Sequence, residues 1–142
     1  LFDLTFVVAF VQLGRALALD LSVLRVAAFV GVFAALWFIW SGFTVFTNRF
    51  RVDDFVHRLM TFALMGAVGA IALAAPRVFQ GETKVFSALV AVSLALLALM
   101  NFRVLVQVQE PDVRGYGRYW MSLDLASAGV WAVATYTAAP PP

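Results

Sequence analysis

The chain is built from apolar segments of about the length that crosses a bilayer, separated by short polar junctions, and this constrains its fold more than any other feature. Five such segments can be drawn, each near the ~20 residues needed to span the hydrocarbon. They cover about Leu1 to Leu19, Leu24 to Asn48, Asp54 to Ala75, the stretch from Glu82-Thr83 to Val106, and Arg118 to Ala138. Pro76 and Gly81 are expected to close the third segment. Gln107 to Gly117, with Pro111, two glycines and several charges, reads as a loop, and Ala138 to Pro142 as another. Hydrophobic residues make up 63% of the 142 and charged residues 13%. A soluble domain averages about half apolar and about a quarter charged, so a bilayer is the expected solvent.

The expected fold is therefore all-α: a polytopic transmembrane bundle of about five antiparallel helices forming a single domain over residues 1–142. Leu1 stands where a start Met would, no basic region precedes an apolar core, and no signal peptide is visible, so the chain reads as a piece of a longer polytopic protein. Arg49, Arg51, Arg58, Arg103, Arg114 and Arg118 fall on one side, against Arg15, Arg25, Arg77 and Lys84 on the other. That bias puts the N-terminus in the cytoplasm. A net charge of +2, scattered along the chain, gives no reason to expect nucleic acid as a partner.

Polar residues are expensive beside lipid, so their placement is the best guide to a site. The densest group lies at the junction of the second and third segments: Asn48, Arg49, Asp53, Asp54, His57 and Arg58. At about 100° per residue, Trp37, Ser41, Thr44, Asn48 and Arg51 form one stripe of the second helix. Asp54, His57, Arg58 and Thr61 share a face of the third, where Asp54 and Arg58 are an opposite-charge pair one turn apart. Asp53 or Asp54 also stands where a carboxylate caps free N–H groups. The chain's topology brings Asp3, Asn101 and Arg103 to the same leaflet. Asp124 lies two turns into the fifth helix, aligned with Ala128, Trp131 and Thr135, and needs a donor inside the protein; Arg103 is one candidate. Gly66 and Ala70, and Ala91, Ala95 and Ala98, mark expected helix contacts.

Each group has a structural reading beside the functional one. The Asp53–Arg58 group serves first as a cap and salt bridge, and second as a proton or ion relay with His57 titrating near neutral pH. A lone His with Asp53 and Asp54 does not make a metal site, and Cys is absent. Trp37 and Trp40 read as packing or interface residues rather than a cofactor box. The Gly115-Tyr116-Gly117 run resembles a potassium filter only superficially, since the flanking Thr-Val and pore helix are missing. No nucleotide loop, nucleophile elbow or metal-binding helix motif occurs, so no enzyme activity and no cofactor is expected.

Three stretches together resemble the bacterial low temperature requirement A family of polytopic membrane proteins. Leu1-Phe2-Asp3-Leu4 through Phe10-Val11-Gln12-Leu13 is similar to the family's opening helix, which usually begins a few residues earlier with Glu-Leu-Phe-Phe-Asp-Leu. Trp37 to Trp40, Thr44 and Asn48-Arg49-Phe50 resemble its second helix, and Asp53-Asp54 with His57-Arg58-Leu59 the start of its third. The match is dense over the first 60 residues and thins afterwards. The family's name describes a growth phenotype. The resemblance implies a larger protein with more helices than are drawn here. It marks Asp3, Gln12, Trp40, Asn48, Arg49, Asp54, His57 and Arg58 as motif residues without assigned roles.

Two functions are expected from different classes. One is a transport-type bundle moving a proton, ion or small solute through the group Asp3, Asn48, Arg49, Asp53, Asp54, His57, Arg58, Arg103 and Asp124. The other is an accessory subunit of a larger respiratory or photosynthetic membrane complex. Its partners would be membrane lipids and either other subunits or further helices of its own chain.

Overall fold

A computed structural model describes residues 2–18, 21–50, 54–107 and 109–137. Five α-helices account for nearly all of them: α1 (Phe2–Ala18), α2 (Val23–Arg49), α3 (Phe55–Val78), α4 (Lys84–Gln107) and α5 (Pro111–Thr137). Short connections make chain neighbours antiparallel, which leaves α1 and α3 running the same way, in contact. Helix α4 is the hub, packed against α5 on one side and α3 on another, with α2 across its middle.

The described chain is all-helical, as its apolar segments predict, and three helices (α2, α3 and α4) are long and apolar enough to cross a membrane. At 1.5 Å per residue the 27 residues of α2 reach about 40 Å and the 24 of α3 about 36 Å. The core is a seam of Phe6, Leu13, Leu36, Ile39, Leu64, Ile71, Leu94 and Leu97, all nearly inaccessible. Outside it the helices present Phe62, Leu73, Val92, Phe102 and Val130 to their surroundings. A soluble protein does not leave apolar faces of that extent in water; lipid covers them without cost.

Two boundaries differ from expectation. The fifth helix starts at Pro111, so the supposed loop from Gln107 to Gly117 is largely helical. Pro111 holds the first helical position, where its missing N–H would have lacked a partner anyway, and Asp112 meets the positive end of the dipole. The Gly-Tyr-Gly run thus lies in the second turn of α5 and is no filter. Helix α3 runs past Pro76 to Val78. A proline this close to the end removes one backbone bond and leaves the helix almost complete. The chain then reverses at Gly81, whose φ of 89° closes a cap in which the Glu82 N–H donates to the Arg77 carbonyl at 3.1 Å and the Gly81 N–H to Val78 at 3.1 Å. Residues 138–142 lie outside the described ones.

Candidate functional site

Alternating helix directions bring the N-terminal ends of α1, α3 and α5 and the C-terminal ends of α2 and α4 to one end of the bundle. Most of the sequence-predicted polar residues gather there. Asp54 caps α3: extended at φ −109°, ψ 167°, it accepts the His57 backbone N–H on Oδ1 at 2.6 Å. The same carboxylate receives Arg103 from α4 in fork geometry, with Nη2–Oδ2 at 2.9 Å and Nη1–Oδ1 at 3.5 Å. Met60 Sδ lies 3.9 Å from Nη1. The Arg103 guanidinium, and after it the His57 N–H, holds the Asp54 carboxyl below its ordinary range. One residue therefore caps α3 and ties it to α4.

Around this pair sit aromatic contacts. The His57 ring stacks on Phe46 of α2 at 5.7 Å between centroids. Arg49 lies over the Tyr116 ring at 5.7 Å, and Phe50 meets Tyr116 edge-on. On α1, Asp3 accepts a hydrogen bond from Trp40 Nε1 at 3.0 Å, fixing α1 to α2. Asn48 and Arg58 are on exposed faces, Asp53 lies outside the described residues. The α2 stripe starting at Trp37 and ending at Asn48 does not line the interior: Trp37 is 53% exposed, and the buried stripe is Val32, Leu36, Ile39, Phe43 and Phe46.

Asp124 stands apart from this rim. It is 1% exposed, between α5, α4 and α2, and its donor is Asn101 Nδ2, which reaches Oδ2 at 3.3 Å. Asn101 also donates to the Leu97 carbonyl one turn earlier at 3.1 Å. Arg103, the donor suggested by sequence, is turned away. Two residues along a helix is a rotation of about 200°, so α4 cannot aim Asn101 and Arg103 at the same neighbour. Asp124 Oδ1 is buried without a hydrogen-bond partner. Such atoms are rare in folded proteins, and each calls for a reason such as strain, a catalytic role or a bound water or ion.

Glycines not expected from the sequence to mark helix contacts make these contacts close. A Cβ on Gly42 would lie 3.2 Å from Leu97 Cδ1 and 3.9 Å from Asp124 Oδ1, and one on Gly117 would lie 3.0 Å from Leu105 Cδ2. Of the small residues that were expected to mark contacts, Gly66 and Ala95 are exposed and Ala98 is buried. The signal for the interior site was present in Asn101, a lone amide in an apolar run. Its pairing with Asp124 was hidden because it depends on how α4 and α5 are rotated. Among the described residues no group of three or more His, Asp or Glu side chains is placed to hold a metal ion.

Apolar helices of membrane-spanning length around a buried carboxylate define an integral membrane helix bundle. The chain matches, over residues 1–142, the family model of the bacterial low temperature requirement A protein, LtrA, and belongs to that family. It is 37% identical over 107 residues to an uncharacterized protein of Rhizobium meliloti (strain 1021), an alignment that covers 72% of this chain and 26% of that protein. The chain thus spans about a quarter of the length of the relative it matches. No solved structure matches it.

Proposed function

We propose that this chain belongs to a transport-type protein of the bacterial inner membrane, moving a proton, an ion or a small solute. All five helices cross the bilayer in this reading, with the N-terminus and the Asp54–Arg103 rim on the cytoplasmic side, and the protein carries out no chemical conversion. The observation that supports it is Asp124: a carboxylate taken out of solvent, held on one oxygen by a neutral amide and left open on the other. Burying such a group costs several kcal/mol in an apolar setting (about 2–7 for a polar group without its bond), and folds retain it where it does work. The rim supports the same reading in a secondary way. Asp54 and Arg103 lock the ends of α3 and α4, while α2 approaches α5 closely beside Gly42.

Flux measurement in liposomes carrying the chain is the direct test. Proton or cation movement should exceed that of empty vesicles and fall to their level on Asp124→Asn, with helical content unchanged by circular dichroism. Parent vesicles no leakier than empty ones to protons, alkali cations and small anions would remove the reading.

The alternative, an accessory subunit, is favoured by one feature. A groove of about 370 Å³ between α1 and α3, lined by Leu4, Val8, Gln12, Met65, Gly69 and Leu73, has room for a side of another helix. Mild solubilisation followed by native mass analysis separates the two: a stable hetero-complex without flux supports the accessory role.

A further inference from the structure

We infer that Asp124 is a proton-binding site, occupied as the neutral acid and loaded through the crevice between α2, α4 and α5. The inference takes the transport reading as its setting and names the species; proton binding is measured separately from flux.

The chemistry around the carboxyl selects a proton over a metal ion. Asn101 Nδ2 donates to Oδ2, so the free valence is on Oδ1. Facing it are Gly42 from α2 and Leu97 and Asn101 from α4, none of which titrates or carries charge. The cations nearest along the packed helices are engaged: Arg103 on Asp54, and Arg49 over Tyr116. Arg118 and Tyr119, on α5 itself, are exposed. An ionised carboxylate there would be desolvated with one neutral donor for compensation, the arrangement that disfavours charge most strongly. Hard metal cations take about six or more oxygens, and the groups facing Oδ1 offer no such set. A proton needs one oxygen.

A route is built beside it. A crevice of about 240 Å³ is lined by Gly31, Ala34 and Phe38 of α2, Leu94 of α4, and Ser127 and Trp131 of α5. Phe38, Leu94 and Ser127 each stand three or four residues, about 5 Å, from Gly42, Leu97 and Asp124 respectively. Asp124 therefore lies one helical layer beyond the crevice, where Leu97 Cδ1 packs 3.2 Å from the place a Cβ on Gly42 would take. The leucine side chain packs across that step, and a rotamer change there would widen the way from the crevice to Oδ1. Ser127 sits on the crevice side, where its hydroxyl can pass a proton by accepting one and giving one.

Infrared spectroscopy of the chain in lipid tests occupancy. At neutral pH the parent should show a carbonyl stretch of a protonated carboxyl, shifted in heavy water and missing in Asp124→Asn. An unchanged acid band in the variant, with loss of carboxylate absorption instead, overturns the inference. Dicyclohexylcarbodiimide, which adds to protonated carboxyls in apolar surroundings, gives a second measure on the unaltered chain. Adduct should appear on Asp124, diminish as pH rises, and form faster in Leu97→Ala. Adduct confined to Asp3 or Asp54 overturns the site, and an unchanged rate in Leu97→Ala overturns the route. Flux without the acid band removes the proton site and leaves transport standing; the band without flux does the reverse.

Discussion

Asp54 and Asp124 are the same side chain in opposite settings, and the protein solves each with a different donor. Asp54 is 43% exposed and meets a guanidinium and a helix N-terminus, both of which favour the ionised form. Asp124 is 1% exposed and meets an amide. At the rim, water screens the pair and the ion pair contributes modestly, so its value is in fixing where α3 and α4 start and end. In the interior a neutral partner satisfies half of the carboxyl and leaves the other half available. The lesson is that a charged cluster dense in sequence marked the structural joint, while the isolated acid marked the site with unmet chemistry.

Three comparisons would break or sharpen that contrast. The largest effect is expected from Asn101→Leu, which leaves both oxygens of Asp124 without a donor. Loss of a buried partner costs about 1–3 kcal/mol, and the upper end is expected because the remaining group is a carboxyl. Thermal unfolding in detergent should show it, and the added Asp124→Leu change should restore much of the loss; additivity of the two would mean that they do not interact. Next is Gly117→Leu. With Leu105 Cδ2 already 3.0 Å from where a Cβ would stand, overpacking should cost about 1–3 kcal/mol. Gly129→Leu on the same helix, where nothing stands within 4 Å, should be neutral or stabilising by about 1 kcal/mol through helix propensity. Equal effects at the two positions would dismiss the close α4–α5 approach.

The smallest effect is at the rim and depends on pH. The folded-state pKa of Asp54 lies below its unfolded value, so the unfolded chain binds the proton first as pH falls. The contribution is complete above the ordinary aspartate range of about 4 and is lost as pH drops through the folded value. Asp54→Asn should flatten this acid limb by lowering stability modestly at neutral pH and hardly at all at low pH, and added salt should shrink the difference. An acid limb identical in parent and variant would show that the Arg103 pair is without thermodynamic weight.

Parts of this picture were readable in the residues and parts were not. The Asp54 cap was legible because capping is local: a carboxylate before an apolar run has the next turn's N–H groups within reach. The start of α5 was misread because Pro111, Gly115 and Gly117 look like a loop in a one-dimensional pattern. Proline suits a first helical turn, and Gly117 lies where α5 needs room against Leu105. The stripe that begins at Trp37 and reaches Asn48 could be drawn from spacing, but which way it faces could not. In α2 the inward face is the apolar one, because α2 is apolar on nearly every side and periodicity carries no direction there.

By itself the sequence determined the solvent, the helical class, the family and the end of the bundle where charge collects, since hydropathy, segment length and capping act over a few turns of one chain. Only the tertiary structure decided that Arg103 serves Asp54 and Asn101 serves Asp124. Those choices depend on the rotation of α4 about its own axis, which is set by how leucines and glycines of three helices interlock and is written in no single segment.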